Sequence, residues 1–245
     1  MTINDIQVLA VSNEARTKTT TNVILKYAQT VRNLTLNPAL MYQRTPVEIL
    51  DNIFMGDIAK NSLLEYLRAE CNNPIIDYDE IRTDNFNNAD PGWDFKVGNN
   101  LMKVEVKSST PPNGENRQAI INLRDIKITA SHDRGRIWIQ PENLESEIHV
   151  QIYFEARPYR QGYATHNALQ AVLNTNPQLL HNIINSPKYN QPLFFGWNTK
   201  EYIVNYVRTH NDNTWTWPAS SRIYWKCPIR EALTLQQLIE YINSH

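Results

Sequence analysis

The chain has 245 residues, 41% of them hydrophobic and 20% charged, which describes a folded globular protein rather than a disordered or fibrous one. Its formal net charge is −1, from 24 Lys+Arg against 25 Asp+Glu, and this argues against a protein held to nucleic acid by bulk charge alone. No apolar run approaches the roughly 20 residues needed to span a bilayer, so no membrane partner is expected. The N-terminus lacks the basic-then-apolar plan of a secretory signal. Cys71 and Cys227 have no metal-ligand spacing, so reduced thiols and a cytoplasmic location are expected. The charge is uneven: residues 1–150 carry 16 Lys+Arg and 20 Asp+Glu, against 8 and 5 in residues 151–245.

Residues 1–50 read as a mostly helical N-terminal part, with apolar residues near helical spacing from Asn22 to Leu34. Asn37-Pro38 and Thr45-Pro46 interrupt that pattern, and Pro46 suits the first turn of a further helix. Residues 57–70 give the clearest helix, with Asp57 placed to cap it and Ile58, Ala59, Ser62, Leu63, Tyr66 and Leu67 forming one stripe. Asn72-Asn73-Pro74 ends it, Ile75 to Tyr78 reads as a short strand, and Asp79 to Ala89 as a polar loop.

The stretch from Asp90 to Lys107, DPGWDFKVGNNLMKVEVK, carries the chemistry. Pro91-Gly92 marks a turn, Asp94 sits in Trp93-Asp94-Phe95, and Met102 to Val106 alternates apolar with charged. In a strand, Met102, Val104 and Val106 face a core, while Lys103, Glu105 and Lys107 face the other way. The turn at Val97 to Leu101 makes a hairpin across which Asp94 and Glu105 meet, with Lys107 beside them. Two carboxylates and an ammonium group suit phosphodiester hydrolysis, because Mg2+ takes oxygen ligands and a fixed cation stabilises the developing phosphorane charge. Asp90 is a rival first carboxylate, but its place before Pro91 suits the opening of the turn.

These residues, in this order and spacing, resemble the PD-(D/E)XK nuclease superfamily, to which most type II restriction endonucleases belong. The resemblance covers about residues 55–108 and extends less specifically to 154. It implies an α/β fold, a restriction-endonuclease-like mixed β-sheet flanked by helices, with the catalytic core over 55–154 of a single domain spanning 1–245. It assigns catalysis to Asp94, Glu105 and Lys107, and metal binding to Asp94, Glu105 and the Val106 carbonyl. The cofactor implied is Mg2+, with Mn2+ able to substitute. A glutamate from the preceding helix often joins such sites, which makes Glu65 a candidate additional acid. Here, however, Gly56-Asp57-Ile58-Ala59 is followed by Lys60, where the commonest family form has Glu. The implied partner is double-stranded DNA, cut by a homodimer. The competing class is a non-catalytic DNA-binding or regulatory protein that keeps this core, and the same core also serves repair and recombination nucleases.

After Lys107, residues 108–118 read as an exposed loop, and three runs read as strands extending the same sheet: Ala119 to Leu123, Arg136 to Gln140, and His149 to Phe154. Two loops hold DNA-contact candidates, Arg134 and Arg136 in one, Arg157, Arg160 and Gln161 in the other, since Arg and Gln read base edges or hold phosphate. Residues 164–185 read as helices, Pro192 to Trp197 as a buried strand, and Glu201 to Val207 as its partner. The aromatic-rich end of the 155–245 part, with Trp215, Trp217, Tyr224 and Trp225, reads as core filling ahead of a final helix from Thr234 to Ile242.

Overall fold

In the computed structural model, residues 1–36, 46–88, 90–111, 115–132, 137–155, 189–216 and 222–245 are described. Strand β1 (Gln7–Val8) precedes two long helices, α1 (Asn13–Leu36) and α2 (Pro46–Glu70). Helix α1 starts earlier than its apolar spacing indicates. Ser12 Oγ accepts from the Ala15 amide at 2.9 Å, capping the end, and Thr17, Thr20 and Thr21 return their hydroxyls to carbonyls four residues back. That local bonding accommodates a threonine run in a helix.

Helix α2 runs unbroken through Gly56 and Asp57, so Asp57 is no cap. A helical glycine costs about 1 kcal/mol relative to alanine, too little to outweigh a helix held by burial. The expected apolar stripe faces the sheet, yet Asp57, Lys60 and Asn61 are buried as well. A helix covered on nearly every side lies between two neighbours, here the sheet and α1.

The chain then forms β2 (Ile75–Asp77), the one-turn helix α3 (Tyr78–Ile81), β3 (Phe95–Val97) and β4 (Met102–Ser109). Phe95 pairs with Val104 and Val97 with Met102, the antiparallel hairpin expected from the sequence. Next come α4 (Arg117–Leu123), β5 (Ile128–His132), β6 (Ile137–Trp138) and β7 (Ile148–Tyr153). After residue 188 follow β8 (Leu193–Thr199), α5 (Lys200–Thr209), β9 (Thr214–Thr216), β10 (Ile223–Trp225) and α6 (Leu235–Ser244).

Six strands form one mixed sheet in the order β1-β8-β7-β4-β3-β2, in which β4 and β7 are parallel and the other pairs antiparallel. A second sheet has the order β6-β5-β10-β9. The fold is thus mixed α/β, with helices flanking the larger sheet. One apolar cluster joins α2 and α6 to Phe95, Val104, Val106, Val150 and Trp197. The other joins α4, α5 and the second sheet to Tyr153, Leu193 and Phe195. Strand β7 is buried along its whole length because both faces are covered.

Three expectations are corrected here. Residues 119–123 are helical: Asn116 caps the turn by accepting from the Ala119 amide at 2.9 Å, and the Arg124 amide donates to the Ile120 carbonyl four residues back. Residues 201–207 are also helical, because Thr199 caps them by accepting from the Tyr202 amide, and Ile203 and Val207 share one face at a spacing of four. The run near Arg136 to Gln140 supplies only β6, and it joins the second sheet instead of extending the first. Strand β7 does extend the first sheet, through its parallel pairing with β4.

Gly196 sits at a register shift between β7 and β8, with φ at +124°. The shift lets Phe194 and Trp197, three residues apart, share the helix-covered face. A Cβ at position 196 would lie 2.6 Å from the Ala232 Cβ. Gly196→Ala is therefore expected to cost about 2–4 kcal/mol from backbone strain and overpacking, read as a lower urea midpoint at unchanged slope.

Candidate active site

Asp94 lies one residue before β3, at the point where that strand stops pairing with β4. Its amide donates to the Val104 carbonyl at 2.8 Å, and its Oδ2 accepts from the Val106 amide at 2.6 Å. The side chain thus supplies the acceptor that β3 no longer offers. The Phe95–Val104 register sets Asp94 opposite Glu105, on the face away from Val104 and Val106. The carbonyl and amide of a strand residue lie on the same edge, so the Val106 carbonyl also borders the Asp94 side of β4.

Glu105 lies against two basic side chains. Oε1 is paired with Lys107 Nζ, and Oε2 lies 3.2 Å from His149 Nδ1. His149 stands beside Glu105 in the parallel β4–β7 register, and its other ring nitrogen lies 3.1 Å from the Ser146 carbonyl. Burial alone would raise the Glu105 carboxyl, but Lys107 and His149 bring it down to about 2. Burial works against the Lys107 charge too, as does Arg222 just before β10, yet Glu105 keeps its pKa raised. Burial pushes Asp94 up to about 7, with the Val106 amide, Lys60 and Lys107 only partly opposing it and Glu105 adding to the rise. Asp94 is therefore a half-buried carboxylate short of positive charge.

The loop leading to Asp94 is anchored by ion pairs. Arg82 bonds Asp84 at 2.7 Å and Asp90 at 2.8 Å and covers the rings of Tyr78 and Phe86. Asp90, the rival carboxylate, is engaged in this loop. Beneath it, Lys60 of α2 pairs with Asp77 and Asp79, and Lys26 of α1 bonds Asp57 and Asp79 at 2.7 Å each. Breaking a buried network of this kind typically costs about 3–5 kcal/mol, so it ties both helices firmly to β2 and α3.

The structure thus brings Asp94, Glu105, Val106 and Lys107 together. Glu65 does not join them: it is partly exposed, and no ion pair or hydrogen bond among the described residues links it to the cluster. On α2 the group that acts on Asp94 is Lys60, a cation where the resemblance leads one to look for an acid. Arg134, Arg136, Arg157, Arg160 and Gln161 lie outside the described residues. His149 was missed, since a lone histidine 44 residues beyond Glu105 shows no local spacing; only the parallel register places it there.

The donor set suits a small hard cation. It offers two carboxylates and a strand-edge carbonyl, and Mg2+ commonly takes one or two carboxylates and keeps several waters. Among the described residues no group of three or more His, Cys, Asp or Glu side chains is placed to hold a metal ion, so the protein's share of the ligands would be small. Comparison with protein-family models, with curated proteins and with solved structures finds no match to this chain. Fold and site define a mixed α/β protein with a carboxylate pair and a lysine at the end of a β-hairpin.

With Asp94 short of positive charge, its ionised form disfavours the folded state. A folded pKa above the ordinary 3.8 adds stability at low pH that is lost as pH rises from about 4 through about 7. Asp94→Asn is therefore expected to raise the Tm in EDTA at pH 8 by at least about 2 °C, with a smaller gain at pH 5. Scanning calorimetry at the two pH values measures this, and equal Tm values for variant and parent at pH 8 would contradict it.

Proposed function

We propose that this protein is a Mg2+-dependent DNA endonuclease that hydrolyses phosphodiester bonds, acting as a type II restriction enzyme. The observation that supports this most is the register that sets Asp94 opposite Glu105, with the Val106 amide on Asp94 and Lys107 on Glu105. Asp94, Glu105 and the Val106 carbonyl would hold the cation, which when bound supplies Lewis-acid polarisation of the phosphodiester. Lys107 places a positive charge where the phosphorane gains negative charge, a stabilisation felt most in the transition state. Arg222, near enough to disfavour the Lys107 charge, adds to the local positive field despite the chain's net charge of −1. Double-stranded DNA is the proposed substrate. A C2 homodimer is the proposed acting form, because two related sites address two antiparallel strands.

One observation favours a second reading, a non-catalytic DNA-binding protein that retains this core. Both Glu105 oxygens already lie against basic side chains, Lys107 and His149, so this carboxylate is matched without a metal.

Single-turnover cleavage of plasmid and phage DNA with saturating Mg2+, run beside DNA binding in Ca2+, separates the two. Lys107→Ala is expected to lose about 100- to 1,000-fold in cleavage rate while DNA affinity stays within a few-fold of the parent. Asp94→Asn and Glu105→Gln are expected to abolish cleavage and weaken Mg2+ binding in calorimetry. Absence of metal-dependent cleavage by the parent, with DNA binding intact, would establish the second reading.

A further inference from the structure

We infer that His149 is a positioning residue for the cation site: it holds Glu105 Oε2 from behind, so that Oε1 is the oxygen presented to the metal and Lys107 occupies that oxygen until a cation arrives. This deepens the reading of Asp94 and Glu105 as metal ligands and rests on it.

The geometry is specific. His149 has 2% side-chain exposure, on a strand buried on both faces, so its ring has no room to move with solvent. One ring nitrogen lies 3.1 Å from the Ser146 carbonyl and the other 3.2 Å from Glu105 Oε2. Ser146 is fixed in turn, because its hydroxyl donates to the Gly92 carbonyl at 2.8 Å, two residues before Asp94. A closed chain of contacts therefore runs from the Asp94 loop through Ser146 and His149 to Glu105. Of the two groups on Glu105, Lys107 is the one that can withdraw. It sits at the end of a flexible four-carbon stem with 28% side-chain exposure, whereas His149 stands on a buried strand with its other ring nitrogen against the Ser146 carbonyl. Lys107 would give up Oε1 when a cation is bound there, and would then be free to place its charge beside the substrate phosphate. Partners of this kind, behind a ligand rather than on the metal, typically contribute 10- to 100-fold in metal affinity.

The two nitrogens can be tested apart. Asn places its amide near the Nδ1 position, facing Glu105, and Gln reaches the Nε2 position, facing Ser146. Calorimetric titration with Mg2+ and Mn2+, without DNA, is run on the parent, His149→Asn, His149→Gln and Glu105→Gln, with far-ultraviolet circular dichroism and Tm as folding controls. His149→Asn is expected to bind within about threefold of the parent and His149→Gln to lose about 10- to 100-fold. A residue that merely fills space predicts the same affinity in both, and that result overturns the inference, as does a larger loss in His149→Asn. If His149→Gln fails to fold, unchanged affinity in His149→Ala takes its place as the overturning result, and a loss there that Asn restores supports the inference. Should the parent bind neither cation, or Glu105→Gln bind as well as the parent, the metal reading itself fails, and that outcome is distinct.

Discussion

The Val106 amide is the contact on which this structure turns. Strand β4 is eight residues long and β3 only three, so β4 runs on past its partner and leaves a backbone donor without a strand acceptor. A buried amide without an acceptor is costly, and Asp94 Oδ2 satisfies it at 2.6 Å. The same bond holds a carboxylate at the place where the two strands part. Local backbone chemistry thus sets the position of the candidate ligand, and the hairpin register then sets Glu105 against it.

Around this point the molecule sorts its polar groups by the face they occupy. The helix-covered face of the large sheet is apolar where β3, β4 and β7 meet α2. The opposite face carries Glu105, Lys107, His149 and Gln151 in adjacent register, all at least partly buried. Gln151 bonds the Lys107 carbonyl at 3.1 Å and the Ser109 hydroxyl at 3.3 Å, satisfying its buried amide. The second sheet and α5 then cover the apolar end of this face at Tyr153 and Phe195, so the polar cluster lies on a face whose other end is packed. A half-buried charge left partly unmatched, as at Asp94, is what one finds where a site is built for a ligand.

The Lys60–Lys26 network is the second element of this design. It ties α1, α2, β2 and α3 together through Asp57, Asp77 and Asp79. Lys60 also acts on Asp94 from α2, so the helix contributes charge to the site without contributing an acid. Such pairs are specific more than stabilising: replacing them with apolar groups is often neutral, while removing one partner is not. Their role here is to hold the loop from Arg82 to Asp94 against a fixed frame.

Sequence alone determined what depends on near neighbours. Alternation from Met102 to Val106, the Pro91-Gly92 turn and the short connection at Gly98 to Leu101 determined the hairpin, and with it the meeting of Asp94, Glu105 and Lys107. The final helix beginning near Thr234 and the stripe around Ile58 to Leu67 were equally legible, because helix ends and faces are set within a turn or two. Tertiary structure decided the rest. Residues 201–207 carry a pattern that alternation reads as strand, and a cap at Thr199 with burial of Ile203 and Val207 makes them helix. Asp57 looks like a cap until α1 covers it and burial keeps α2 continuous. His149 reaches Glu105 only through a parallel pairing whose crossover spans residues 110–147, a distance at which no residue pattern signals contact. Parallel pairing is set by how helices and a second sheet cover both faces of a strand, and that is a property of the assembled chain.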